Sequence, residues 1–151
     1  MSDKNLVVRQ IGTLPSSIVQ IEHEALAQGH HFVSRLIENW HPELNQFSLP
    51  GEIFLGAFES DSLVAIGGLN RDPYESLAKL GRIRHFYVRA SFRRMSIGSM
   101  LLGQLLEYAR QTFDNVRLRT LTVEGAAFYE RNGFVPIIDV NATHFWYGSY
   151  S

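Results

Sequence analysis

The stretch from residue 80 to residue 109 constrains the fold more than any other. It reads as a strand over 80–88, a basic turn over 89–96, and a helix whose apolar residues Ile97, Leu101, Leu105 and Tyr108 recur at helical spacing. A strand that feeds an amphipathic helix lays that helix across the sheet it has just left, which is an α/β arrangement. Just ahead, residues 52–59 and 63–69 read as two strands joined by Ser60-Asp61-Ser62, a hairpin by length and residue type. A hairpin makes its two strands antiparallel, so the sheet is mixed rather than doubly wound.

The flanking segments extend this plan. Residues 6–11 form a short β-like run. Ser17 and Gln20 have the spacing of a capping box and open a helix through Ile18, Ile21, Ala25 and Leu26, which Gly29 stops. A second helix spans 32–40 with Val33, Leu36, Ile37 and Trp40 on one face, and 41–51, with Pro42 and Pro50, is a loop. Asp114-Asn115 closes the long helix, a strand covers 116–121, and a short helix over 125–131 stops at Asn132-Gly133. Strands at 134–138 and 143–150 complete the order β-α-α-β-β-β-α-β-α-β-β, with helices flanking a central sheet. The 151 residues contain no repeat or linker-like tract, so one domain is expected over 1–151.

Composition excludes several functions. With no cysteine there is no disulfide, thiolate metal site or cysteine nucleophile. No apolar run approaches the ~20 residues that span a bilayer, so no membrane partner is expected. Residues 1–10 are too polar for the apolar core of a secretory signal, making the cytoplasm the expected location. A net charge of −1 argues against nucleic acid as a partner. That balance hides an asymmetry: residues 1–78 hold four basic and ten acidic side chains, whereas 79–119 hold nine basic and two acidic ones. A basic segment in a near-neutral protein meets either solvent or an anion.

The turn over 89–96 favours an anion. The start of a helix presents unpaired N–H groups and the positive end of the dipole. Gly98 leaves room for a phosphate, Arg93 and Arg94 supply charge-assisted bonds, and Ser96 and Ser99 supply hydroxyls. Gly-Lys-Ser/Thr and GxGxxG are both absent, so the turn is neither a P-loop nor a dinucleotide fingerprint.

Arg93-Arg94-Met95-Ser96-Ile97-Gly98 resembles the signature Q/R-x-x-G-x-G/A of the GNAT superfamily of N-acetyltransferases, with Ser96 standing where the first glycine belongs. Gly125-Ala126-Ala127-Phe128-Tyr129-Glu130-Arg131-Asn132-Gly133-Phe134 resembles that family's A-x-x-F-Y-E-K-x-G-F segment at the expected distance. The resemblance covers nearly the whole chain and implies the GNAT acyl-CoA N-acyltransferase fold, a mixed, mostly antiparallel central sheet flanked by helices. It also implies acetyl-CoA as co-substrate, held by Phe86, Tyr87, Val88, Arg93, Arg94, Met95, Ser96, Ile97, Gly98, Ser99 and Phe128. Tyr129 matches the tyrosine that protonates the leaving thiolate, and the backbone N–H of Val88 is the implied oxyanion donor.

The implied reaction is direct attack of an amine on the thioester. Arg82 stands where some members carry a glutamate base. His85 is the named candidate for that work, with Glu52, Asp72, Glu124 and a water chain as alternatives. The acceptor is read as a small-molecule amine, with 29–51 and its His30, His31, Trp40, His41 and Phe47 lining its side. Those histidines lack metal-ligand spacing, so no metal is expected. Arg71 either binds an acceptor carboxylate or pairs with Asp72 or Glu75. Phe145, Trp146, Tyr147 and Tyr150 read as core or as a homodimer contact. A non-catalytic acyl-CoA sensor or carrier of the same fold is the alternative function.

Overall fold

In a computed structural model, which describes residues 5–75 and 79–148, the elements run β1 (Leu6–Gln10), α1 (Ile18–Ala27), α2 (Phe32–Trp40), β2 (Ile53–Glu59), β3 (Ser62–Arg71), β4 (Leu80–Val88), α3 (Ile97–Ala109), β5 (Asn115–Leu118), α4 (Val123–Arg131), β6 (Val135–Pro136) and β7 (His144–Tyr147). The seven strands form one sheet in the spatial order β1-β2-β3-β4-β5-β7-β6. Among the described residues, only β4 and β5 pair in parallel; every other pair is antiparallel. The mixed α/β class and element order expected from the sequence are those observed.

The sheet is covered on both faces. Ile97, Leu101, Leu102, Leu105 and Ala109 of α3 pack with Leu55, Val64 and Ile83 on one side. Ile21 and Ala25 of α1, with Val33, Leu36 and Trp40 of α2, pack with Phe54, Ile66 and Tyr87 on the other. Residues 63–70 of β3, at the centre, are accordingly all buried. Gly67 and Gly68 let aromatic rings approach that strand closely. A Cβ on Gly67 would sit 2.7 Å from Phe86, and one on Gly68 only 2.3 Å from Phe47.

Two irregularities of β4 make the site. The β3–β4 register passes from Ile66↔Tyr87 to Gly68↔Arg84, so Gly67 alone faces His85 and Phe86, a bulge with His85 at φ 57°. The bulge shifts the alternation, so Ile83 and Phe86 both belong to the α3 side. Second, β4 and β5 pair only at Leu80↔Asn115, Gly81↔Val116 and Arg82↔Arg117. Beyond that rung β4 continues to Val88 while β5 ends at Leu118, and a wedge opens through the sheet.

Several expectations are corrected. Ser17 is helical (φ −66°, ψ −10°) in a turn begun at Pro15, so its hydroxyl makes no cap bond and the capping box does not form. Leu26 is 39% exposed rather than on the buried face of α1. The long helix stops at Ala109, not Asp114, because the N–H groups of Thr112 and Phe113 turn back to the Ala109 carbonyl and bury Phe113. β5 ends before Thr120 and Leu121, β6 is reduced to two residues, and β7 ends at Tyr147. α4 starts at Val123, two residues before Gly125, because Thr122 caps it by accepting the Gly125 N–H. Tyr150 lies outside the described residues.

Candidate active site

The wedge between β4 and β5 opens into a cleft of about 1430 Å³. This exceeds the ~300–1,000 Å³ of an ordinary small-molecule pocket and suits a site that holds two reactants. Its walls come from both layers: Phe32 and Arg35 from α2, Phe128 and Tyr129 from α4, with β4 between them.

At one end lies the turn from Arg93 to Ser99. Arg94 and Ser96 both have φ 64°, a left-handed conformation that L-residues adopt at a cost. That conformation aims the start of α3 into the cleft. The first helical bond there is Met100 N–H to Ser96 carbonyl at 3.0 Å, which leaves the N–H groups of Ile97, Gly98 and Ser99 without helical acceptors. No acidic side chain lies in that first turn.

The two arginines divide the work. Arg93 donates from Nε to the Val88 carbonyl at 2.9 Å, from its guanidinium to Gln28 at 3.2 Å, and lies over the Tyr87 ring. It staples the turn to β4 and α1. Arg94 is exposed and forms no hydrogen bond or ion pair among the described residues.

Phe86, Tyr87, Val88, Arg93, Arg94, Ser96, Gly98, Ser99 and Phe128 line the cleft. Met95 and Ile97 do not: Met95 is 40% exposed, and Ile97 is 3% exposed in the core, with only its N–H near the turn. Tyr87 hydrogen-bonds through its hydroxyl to Glu24 at 2.7 Å and Gln28 at 3.2 Å. Burial and that carboxylate push its pKa up to about 12. Gly98 serves packing as well as approach, since a Cβ there would lie 3.1 Å from Phe128.

Val88 supplies the end of the strand. Arg89 N–H bonds back to Val64 of β3 at 2.9 Å, so the N–H and carbonyl of Val88 point the other way, into the wedge. Arg93 takes the carbonyl, and the N–H is left for a developing negative charge.

Tyr129 forms part of the wall behind the wedge, its ring 6.0 Å from Phe86, 5.1 Å from Phe128 and 5.6 Å from Phe134. Burial raises its pKa, so the phenol keeps its proton. The hydroxyl forms no hydrogen bond within the described residues.

His85 also lines the cleft. Its Nδ1 lies 2.9 Å from the Phe32 carbonyl, so Nδ1 donates and Nε2 keeps a lone pair. Burial, then the charges of Arg84 and Arg35, hold its pKa down to about 3, and the ring is neutral at physiological pH. The histidine titrating near 6.5 that was expected as a base is therefore a weak one here.

Two of the alternative bases are tied elsewhere. Glu52 accepts the N–H groups of Leu49 and Arg71. Asp72, its side chain fully buried, binds Arg117 at 2.7 Å and Arg82 at 3.3 Å, which excludes the expected Arg71–Asp72 pair. Arg82 also donates to the Asn141 carbonyl at 2.6 Å, so it anchors strands where a catalytic carboxylate was sought. Glu124 stays exposed at the cleft rim. Trp146 belongs to the core, under Arg110 at 4.8 Å, and Tyr147 is 46% exposed. Arg35 and Arg84, both in the cleft wall, went unremarked in the sequence; the charge asymmetry was the one signal for Arg84.

Among the described residues, no three His, Cys, Asp or Glu side chains are grouped to hold a metal ion, and no helix is long and apolar enough to cross a membrane.

The acetyltransferase (GNAT) family model matches residues 18–134. No curated protein matches the chain. Among solved structures, a protein from Exiguobacterium sp. 255-15, itself only provisionally assigned as an acetyltransferase, superposes with a TM-score of 0.84 at 24% identity, covering 94% of this chain and 93% of that one. The PaiA N-acetyltransferase from Thermoplasma acidophilum, solved in complex with coenzyme A, gives 0.72 at 19% identity over 97% and 99%. Ard1 from Thermoplasma volcanium gives 0.65 at 24% identity over 94% of each chain.

Proposed function

Since the chain belongs to the GNAT acetyltransferase family, and so is an acyltransferase that draws on acyl-CoA, we propose that it transfers an acetyl group from acetyl-CoA to the primary amine of a small acceptor. The observation that carries this is the wedge itself. An unpaired strand-end N–H at Val88, a helix start with three unbonded N–H groups and a phenol all face one cleft.

These groups fit the cofactor. The N–H groups of Ile97, Gly98 and Ser99, with the guanidinium of Arg94, hold the pyrophosphate. The parted strands take the pantetheine arm, with Phe128 and Phe86 beside it. The Val88 N–H receives the thioester oxygen as negative charge gathers there. The amine lone pair forms the new C–N bond as the C–S bond breaks. One proton leaves nitrogen and one reaches sulfur, and Tyr129 donates the latter.

His85 has a narrower role than a base. Taking a proton from an ammonium of pKa near 10 would be uphill by about 7 units, roughly 9 kcal/mol. Its Nε2 instead accepts a hydrogen bond from the neutral amine and orients the lone pair, while the excess proton leaves through water. The second reading, a sensor that binds acyl-CoA without turnover, is favoured by the cleft's having, among the described residues, no carboxylate other than Glu124.

A thiol-release assay with acetyl-CoA and a panel of amines separates the two. The chain has no cysteine, so a thiol reagent reports only released coenzyme A. Amine-dependent release supports the transferase; tight binding with no release to any amine supports the sensor.

A further inference from the structure

We propose that the acceptor is an aminocarboxylate whose carboxylate is bound by Arg84 and Arg35, on the face of the wedge opposite the turn. This rests on the acetyltransferase reading, from which it takes the direction of amine approach. Cofactor-holding groups come from α3, α4, the turn and the end of β4. The other wall is built by α2 and the first half of β4, and there the charge is one-sided.

Four charges near that wall cancel. Arg82 and Arg117 share Asp72, and Arg117 also meets Asp139 at 3.5 Å. Arg84 and Arg35 are left over. Neither has a carboxylate within ion-pair distance or a hydrogen-bond acceptor among the described residues. Arg84 is half-buried, where an unpaired guanidinium is costly. Burial first and Arg82 next destabilise its charge, and Arg35 adds to them, against opposing contributions from Tyr74 and Glu52. Glu52 does not neutralise it, being committed to two backbone N–H groups.

An anion between Arg84 and Arg35 relieves this repulsion. The planar fork of a guanidinium matches a carboxylate in bidentate fashion. Arg84 lies four residues before Val88, at most ~13 Å along a strand rising ~3.3 Å per residue. The side chain of Arg84 covers part of that interval, so only a few bonds separate the acceptor's amine from its carboxylate. His30 and Phe32, whose rings meet at 5.6 Å, line the same wall and offer an apolar surface to the acceptor's side chain. A polyamine or other purely cationic acceptor would meet like charge along this wall.

The test compares matched amines with acetyl-CoA saturating: phenylalanine against phenethylamine, lysine against cadaverine, and phosphoethanolamine as the phosphate counterpart. The carboxylate member of each pair should have kcat/KM at least tenfold higher. Arg84→Gln should raise its KM tenfold or more with kcat within threefold and the KM for acetyl-CoA unchanged, and Arg84→Lys should recover part of the loss. Arg35→Ala, at an exposed position, should raise KM in the same direction without loss of folding. Equal or better use of the decarboxylated amines, indifferent to Arg84→Gln, overturns the inference and leaves the acetyltransferase standing. Preference for phosphoethanolamine overturns the carboxylate. A readout without activity is a titration of phenylalanine into the protein followed by the Nε–H resonance of Arg84. A saturable shift supports the subsite even if acetyl-CoA fails to bind, and no shift counts against it.

Discussion

Arg82 and Arg117 face each other across the last rung that joins β4 to β5, and the carboxylate of Asp72 lies 3.3 Å from one guanidinium and 2.7 Å from the other. Past this clamp the strands part. The clamp therefore sets where the wedge begins, and it does so with ions buried at the sheet's centre.

Removing its carboxylate should be severe. Asp72→Asn leaves two buried guanidiniums side by side and should lower stability by about 3–5 kcal/mol, read by urea unfolding. The pH dependence has a fixed sign. Burial acts to raise the Asp72 pKa, but Arg117, the Tyr74 N–H and Arg82 outweigh it and hold the pKa below its usual 3.8. The pair's contribution is thus full above about pH 4 and is lost as pH falls through the lowered value. A loss under 1 kcal/mol in the variant would mean the clamp does not hold the strands.

Ser96→Gly should stabilise. At φ 64° serine occupies a conformation that glycine adopts without penalty. The gain should be about 0.5–1 kcal/mol after the added freedom of the unfolded chain is subtracted. Thermal unfolding checks this, and a lower Tm would show that the hydroxyl has a role the left-handed turn does not explain.

Tyr129→Phe should leave the affinity for acetyl-CoA unchanged and cut turnover by roughly ten- to a thousandfold, as expected for loss of a proton donor. Stability should hardly change, because the hydroxyl has no hydrogen-bond partner to lose among the described residues. Steady-state kinetics with unchanged kcat would remove Tyr129 from the chemistry.

His85 predicts two pH profiles. Its folded pKa is depressed to about 3 from 6.5, so its contribution to stability is present above 6.5 and declines as pH falls toward 3. Between pH 7 and 5 this should cost about 2 kcal/mol, a slope that His85→Gln should lack. In the rate profile, kcat/KM should rise with pH toward the pKa of the acceptor amine. A limb near pH 6.5 that vanishes in His85→Gln would instead make the imidazole the base.

Local patterns carried most of the fold. Phe32–Trp40 and Leu80–Val88 have the bounds their sequence patterns suggest, because each places apolar residues on a face that packing then buries. Ser17 shows where this fails: its hydroxyl is suited to a cap, but the preceding turn at Pro15 fixes a helical backbone that cannot present it. Within the site, the turn was legible from charge and glycine spacing. The separate duties of Arg93 and Arg94 were not, because Gln28, 65 residues away, reaches Arg93 only through the fold. Nor was the commitment of Asp72 legible, since its partner Arg117 is 45 residues away.

Every role assigned to the turn and the wedge requires that they bind acetyl-CoA. Calorimetric titration of acetyl-CoA, beside ATP and NAD, into the protein and its Arg94→Ala variant tests this directly. The expected result is selective binding of one acetyl-CoA per chain, weakened roughly tenfold in the variant by loss of one charge-assisted phosphate contact, with the Tm unchanged because Arg94 has no hydrogen-bond or ion-pair partner among the described residues. Binding no stronger than that of ATP, or unaltered by Arg94→Ala, would contradict it.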